Sequence, residues 1–218
     1  MSITLIIIVV TLIVSFIGFS NSQVIDNLIF YPPAVTQKKQ YYRFITCGFI
    51  HADVAHLAFN MISFYLFSNA LVEPAFIEYF GDYGRAALLI MYVLALIVSL
   101  LPTYAKHKNN TQYKSLGASG AVSAVVFAGI MIAPLAELGF FIIPPVIPGF
   151  IFGPLYLILS AYFEKRGGDN INHSAHIWGA LFGVIFIVIV TRIYSNVDIW
   201  TDFVDQVKYY MKTKFNIG

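Results

Sequence analysis

The sequence predicts an all-α polytopic membrane protein, a bundle of six transmembrane helices. Of its 218 residues, 59% are hydrophobic and only 11% are charged. A soluble domain has about 45–50% apolar and about 25% charged residues. Long apolar runs recur along the chain and are separated by shorter segments with most of the charged side chains. We therefore expect a core that is sealed by lipid and by helix contacts rather than by a polar shell.

The charge and the cysteine content bear on partners and chemistry. A formal net charge of +2 is too small to indicate a nucleic-acid partner, which a basic surface would attract. The single cysteine, Cys47, excludes an internal disulfide. We interpret it as a packing residue, because buried thiols are usually inert.

The first two spans are predicted at residues 3–19 and 55–72. We interpret the first as a retained helix rather than a cleaved signal peptide, because no Lys or Arg precedes Lys38. Between the spans, residues 20–49 mix aromatic and basic side chains, which is typical of a loop at the membrane interface. Glu73-Pro74 is expected to end the second span, and an acidic, aromatic loop is expected to follow as far as Arg85.

The remaining spans are predicted at residues 86–104, 119–134, 138–163 and 174–194. The fifth carries three prolines in its first part, which predict a plain kink or a lateral gate: Pro144, Pro145 and Pro148. We assign residues 1–195 to the bundle and residues 196–218 to an amphipathic tail on the membrane surface. The apolar stripe of the tail is formed by Trp200, Phe203, Val204, Val207 and Met211.

Polar residues recur at matching ends of alternate spans. Spans two, four and six begin on the same side of the membrane because the chain alternates sides. His56 and Asn60 lie near the start of span two, Ser119 starts span four and His176 lies at the start of span six. With a rise of about 1.5 Å per residue, all four fall at a similar depth.

Small residues indicate that spans four and six touch. Gly179 and Gly183 form one ridge, and Gly120 and Ala124 form another, so that the two backbones can approach closely. This contact would bring an imidazole to a hydroxyl, the base and nucleophile of acyl transfer. We predict a Ser–His dyad, because no Asp or Glu lies inside a span near this depth.

His56 and Asn60 share a helix face and are candidate donors to the oxyanion of a tetrahedral intermediate. The backbone N–H of Ser119 at the start of its helix is a third donor. The alternative is that the histidine and the asparagine only join helices by hydrogen bonds.

Three motifs resemble those of the rhomboid intramembrane serine proteases, over residues 42–194. They are Gly117-Ala118-Ser119-Gly120, the spacing of His51, His56 and Asn60, and the run from Ala175-His176 through Gly179 to Gly183. The resemblance implies that Ser119 is the nucleophile, His176 the general base, and His56 with Asn60 the oxyanion helpers. Arg43, after Tyr42, resembles the arginine of an aromatic–Arg pair. The implied substrate is a transmembrane segment of another protein.

Two features depart from the family pattern. Many members carry an aromatic residue four positions after the nucleophile, stacked on the histidine, whereas this chain has Ser123. Something else is therefore expected to orient His176. The family topology, with both termini in the cytoplasm, puts more Lys and Arg in the external loops than inside, against the positive-inside rule.

Two other functions stay open at this stage. One is a non-catalytic rhomboid-like module that binds membrane proteins. The other is a metal or haem site formed by His51, His56, His173 and His176, whose spacing does not match His-Glu-x-x-His. We expect no metal and no cofactor, and we expect an integral multi-pass protein of the cell (plasma) membrane whose partners are lipid and transmembrane substrates. The sequence leaves the oligomeric state open.

Overall fold

A computed structural model describes residues 2–139 and 146–215. Pro144 and Pro145, which were predicted to kink the fifth span, lie outside the described residues. The helices are α1 Ile3–Ser20, α2 Ser22–Leu28, α3 Pro32–Lys38, α4 Arg43–Thr46, α5 Val54–Phe67, α6 Glu73–Phe80, α7 Gly84–His107, α8 Ser119–Ile132, α9 Gly149–Arg166, α10 His173–Tyr194 and α11 Ile199–Phe215.

The predicted all-α membrane bundle is confirmed, while its count of six spans stays a prediction. Among the described residues, three helical stretches are long and apolar enough to cross a bilayer: Ile3–Ser20, Val54–His107 and His173–Tyr194. The second stretch contains a hairpin of α5 and α7, because the rings of Phe64 and Tyr92 lie 5.1 Å apart. Helix α8 is apolar but shorter, and α9 ends in Glu164-Lys165-Arg166.

The predicted helix end at Glu73-Pro74 is wrong. Helix α5 passes through a π-helical turn at Ser68–Val72 and continues as α6 to Phe80. Pro74 lies in the first turn of α6, where a missing N–H does not remove a helical hydrogen bond. The proline is therefore accommodated instead of ending the helix.

Glu73 is buried and binds the start of α1. Its carboxylate accepts hydrogen bonds from Ser2 Oγ at 2.7 Å, from the N–H of Ile3 at 3.0 Å and from the N–H of Thr4 at 3.1 Å. Arg85 Nε lies 3.4 Å from the same carboxylate. A negative charge at a helix N-terminus is favourable, so that Glu73 fixes the start of α1 against the start of α6.

The connection between α1 and α5 is folded, although residues 20–49 were predicted to be an interfacial loop. The buried guanidinium of Arg43 donates to the carbonyl oxygens of Asp26 at 2.9 Å and Ile29 at 2.7 Å, and to Gln40 Oε1 at 2.7 Å. The C-terminal end of α2, the residues after α3 and the start of α4 are thereby held together. Phe30 exchanges two backbone hydrogen bonds of 3.0 Å with Ser115, which attaches this segment to the loop before α8.

The fifth span begins later than predicted. Strands β1 Glu137–Leu138 and β2 Ile147–Pro148 pair antiparallel, and α9 starts only at Gly149. Pro148 is the residue before the helix, in extended backbone, so that it precedes the helix and does not kink it. Pro154 is the proline inside α9.

Helix α11 packs against the bundle near α9. Ile199 is buried, Phe203 contacts two buried clusters, and Tyr210 lies 5.5 Å from the ring of Phe150. Trp200, by contrast, is exposed. The stripe of the tail thus contacts protein over part of its length.

Candidate functional site

A tight turn precedes Ser119. Gly117 has φ +108°, and a Cβ there would lie 2.7 Å from His56 Cε1 and 2.9 Å from His56 Nε2. Its N–H donates to the carbonyl oxygen of Cys47 at 2.9 Å. Glycine is required here for both its left-handed backbone and its lack of a side chain. Helix α8 begins directly after this turn, and Ser119 is its first residue and is partly exposed.

Helices α8 and α10 are in backbone contact at their small residues. A Cβ added to Gly179 would overlap the carbonyl oxygen of Gly120, and one added to Gly183 would overlap that of Ala124. The two glycine ridges that the sequence paired therefore face each other. This contact sets the distance between the start of α8, with Ser119, and the start of α10, with His176.

Ser119 and His176 line one cavity of about 720 Å³ between α5, α8, α9 and α10. Asn60 and Ser123 also line it. In the part of the chain that the structure describes, no hydrogen bond joins Ser119 to His176. Such bonds in resting enzymes are often long and tighten when substrate binds. The two side chains thus line one cavity without a hydrogen bond between them.

Two aromatic rings flank the imidazole of His176. The phenol ring of Tyr156, on α9, is stacked at 6.3 Å between centroids and 23° between planes. The ring of His173 meets it edge to face at 5.8 Å and 78°. Sequence reasoning missed Tyr156, because periodicity does not tell which face of α9 meets α10.

His51 connects α1 to the turn before Ser119 by hydrogen bonds. Its buried ring accepts from the N–H of Ala118 through Nε2 at 3.4 Å, and Nδ1 lies 2.9 Å from Ser15 Oγ. Ser15 Oγ in turn donates to the carbonyl oxygen of Phe49 at 2.9 Å. These partners assign the proton of a neutral ring to Nδ1. His51 therefore positions the backbone and does not face the cavity.

His56 lies directly over the Gly117 turn. Its Nδ1 accepts from the N–H of Ala52 at 3.5 Å, so that a neutral ring carries its proton on Nε2, the nitrogen that faces Gly117. Asn60 is buried, and its amide nitrogen donates to the carbonyl oxygen of His56 at 2.9 Å. One amide N–H of Asn60 remains for a ligand in the cavity.

A second, smaller cleft lies at the end of α7 and the start of α10. It has a volume of about 230 Å³ and includes Lys106, His107, Asp169 and His173. His173 Nε2 lies 3.0 Å from Asp169 Oδ2, and this hydrogen bond holds the pKa of the Asp169 carboxyl below its usual value. Within the described residues, no group of three or more His, Cys, Asp or Glu side chains is arranged to hold a metal ion.

Comparisons with known proteins agree on one family. The family profile described as "Rhomboid domain" matches residues 38–193. The chain is 30% identical over 149 residues to "RHOMBOID-like protein 12, mitochondrial" of Arabidopsis thaliana, which covers 65% of the chain and 44% of that protein. It is 30% identical over 147 residues to "Presenilin-associated rhomboid-like protein A, mitochondrial" of Danio rerio, covering 66% of the chain and 36% of that protein.

A further relative is "Rhomboid-like protein 11, chloroplastic" of Arabidopsis thaliana, 28% identical over 170 residues, with 70% of the chain and 53% of that protein covered. The chain thus matches only about a third to a half of the length of these three curated relatives.

Proposed function

The chain belongs to the rhomboid family, and from this we propose that it is an intramembrane serine endopeptidase that cleaves transmembrane segments of other membrane proteins. One observation carries the proposal. Ser119 and His176 line the same cavity on two helices that are fixed against each other by Gly120 and Gly179. A hydroxyl and an imidazole that face one cavity are the nucleophile and the base that peptide hydrolysis by a serine enzyme requires.

In the proposed reaction, Ser119 Oγ attacks the scissile carbonyl carbon while His176 takes the hydroxyl proton. The carbonyl oxygen becomes negative and receives hydrogen bonds from the N–H of Ser119, from Nε2 of His56 and from the free amide N–H of Asn60. His176 then gives its proton to the leaving amine, and the C–N bond breaks to leave an acyl-enzyme. Water attacks this ester with His176 as base, which releases the acid and restores Ser119.

The substrates follow from the lining of the cavity. Most of its surface is apolar and comes from α5 and α8, including Phe59, Leu66 and Val126. Such a surface suits the side chains of an apolar segment, and Asn60, Ser119 and His176 add polar groups to it. Lipid and transmembrane proteins are accordingly the partners we propose.

The cell membrane is the location we propose. The relatives are named as mitochondrial and chloroplastic proteins, so that their names do not support a location in the cell membrane. Membrane fractionation of cells that express the tagged chain would test it.

Cleavage by purified protein in liposomes tests the activity. We expect the parent to cut a panel of single-span proteins, Ser119→Ala to cut none, and Ser20→Ala to behave like the parent. Ser20 is the matched control because it is an exposed serine at the end of α1, outside the cavity. Equal cleavage by Ser119→Ala and the parent would refute the dyad. A parent that binds these proteins without cutting them would indicate a rhomboid-like binding module instead.

A further inference from the structure

We propose that Tyr156 is a positioning residue that fixes the orientation of the His176 imidazole. This inference rests on the proposed protease function, since it concerns the geometry of the base. Among the described residues, no carboxylate is hydrogen-bonded to His176. The orientation of the imidazole must therefore come from packing.

The ring geometry supports this role. The centroids of Tyr156 and His176 are 6.3 Å apart with planes at 23°, within the range of about 4.5–7 Å over which aromatic pairs attract each other. The edge-to-face contact of His173 at 5.8 Å restrains the same imidazole in a second direction. A ring with a neighbour on its face and another at its edge has little freedom to rotate.

Tyr156 is itself fixed relative to the helix that carries the nucleophile. Its hydroxyl lies 3.0 Å from Ser123 Oγ, and Ser123 is one turn after Ser119 on the buried part of α8. The rings of Phe127 at 5.7 Å and Phe152 at 6.2 Å hold the phenol from other sides. Tyr156 thus transmits the position of α8 to an imidazole on α10.

This arrangement explains how a serine can stand at position 123. The small Ser123 side chain leaves room for a ring from α9 and provides the hydroxyl that anchors it. It follows that the geometry of the dyad depends on α9 as well as on the contact between α8 and α10.

The test compares variants that keep or remove the ring. Tyr156→Leu removes it, and we expect kcat to fall about a hundredfold, because a misplacement of about 1 Å costs that much in rate. KM should change by less than about threefold, because the loss concerns the transition state and not binding. Labelling of Ser119 by a fluorophosphonate should slow in parallel.

Tyr156→Phe keeps the ring and loses only the hydroxyl bond. We expect it to restore most of the rate, with a loss of about fivefold, the equivalent of one ordinary hydrogen bond. Ser123→Ala should match it. Tyr162→Leu is the matched control on α9, because Tyr162 is exposed, and it should leave kcat unchanged. Melting temperatures are recorded for every variant.

Parent-like kcat in folded Tyr156→Leu would overturn the proposal, and so would equal losses in Tyr156→Leu and Tyr156→Phe. If Tyr156→Leu fails to fold, Tyr156→Met fills the site with a flexible side chain and carries the same expectation. A parent that neither cleaves nor labels refutes the protease function itself, so that the two failures are distinguishable.

Discussion

Gly179→Ala tests how closely the α8–α10 contact sets the activity. An added Cβ would overlap the Gly120 carbonyl oxygen and would lie 2.8 Å from the Gly120 carbonyl carbon and 3.1 Å from its Cα. Interiors are close-packed, and all three obstacles are backbone atoms that cannot rotate away. The two helices must therefore separate by about 1 Å, and a displacement of that size costs about a hundredfold in rate.

The assay measures kcat on a transmembrane substrate and the rate of fluorophosphonate labelling, each on the folded fraction. Gly153→Ala is the matched control, since a Cβ there meets its nearest neighbour, Phe127, at an ordinary 3.4 Å. It replaces glycine in a helix, which favours stability by up to about 1 kcal/mol, and should keep parent activity. Parent-like kcat and melting temperature in Gly179→Ala would refute the argument that this contact positions His176.

Four further substitutions have defined outcomes. His56→Ala and Asn60→Ala should each lower kcat about 10²–10³-fold with little change in KM, as the loss of one oxyanion donor does. Lower stability together with the parent kcat in the folded fraction would instead indicate that these residues only join helices by hydrogen bonds. Glu73→Gln should lower the melting temperature by about 5 °C. Hydrogen bonds to a charged acceptor are worth about 1.5–3 kcal/mol, and about 1 kcal/mol corresponds to about 2–4 °C in a chain of this size. Glu78→Gln, at an exposed residue, is the control, and equal melting temperatures of the two variants would contradict the binding of α1 by Glu73. Arg43→Lys should speed proteolysis of residues 20–49, because an ammonium group does not reproduce the hydrogen bonds of the planar guanidinium. An unchanged rate of digestion would show that Arg43 does not hold this segment in place.

The alternation of the spans predicted polar residues at one depth. His56, Asn60, Ser119 and His176 were expected there; Asn60, Ser119 and His176 line one cavity, whereas His56 lies over the Gly117 turn. The small-residue ridges predicted the contact between α8 and α10, because glycine and alanine can be read directly from the sequence and allow two helices to approach closely. The family was likewise predicted from motif spacing and is now shown by the match over residues 38–193.

Other features depend on contacts that no local pattern encodes. Helix α5 continues into α6 past Pro74 because a π turn joins the two and the proline lies in the first turn of α6. The segment after α1 folds because Arg43 binds carbonyl oxygens at least fourteen residues away. The role of Tyr156 could not be predicted because Ser123 and His176, which it joins, come from two other helices that are distant in sequence.

A nucleophile at Ser119 that is activated by His176 is tested by locating a fluorophosphonate adduct, with mass spectrometry of the intact, folded protein and of its peptides. We expect a single adduct on Ser119 in the parent, none in Ser119→Ala, and strongly slowed formation in His176→Ala. An adduct on another residue, no adduct in the parent, or an unchanged rate in His176→Ala would contradict a nucleophile at Ser119 that is activated by His176.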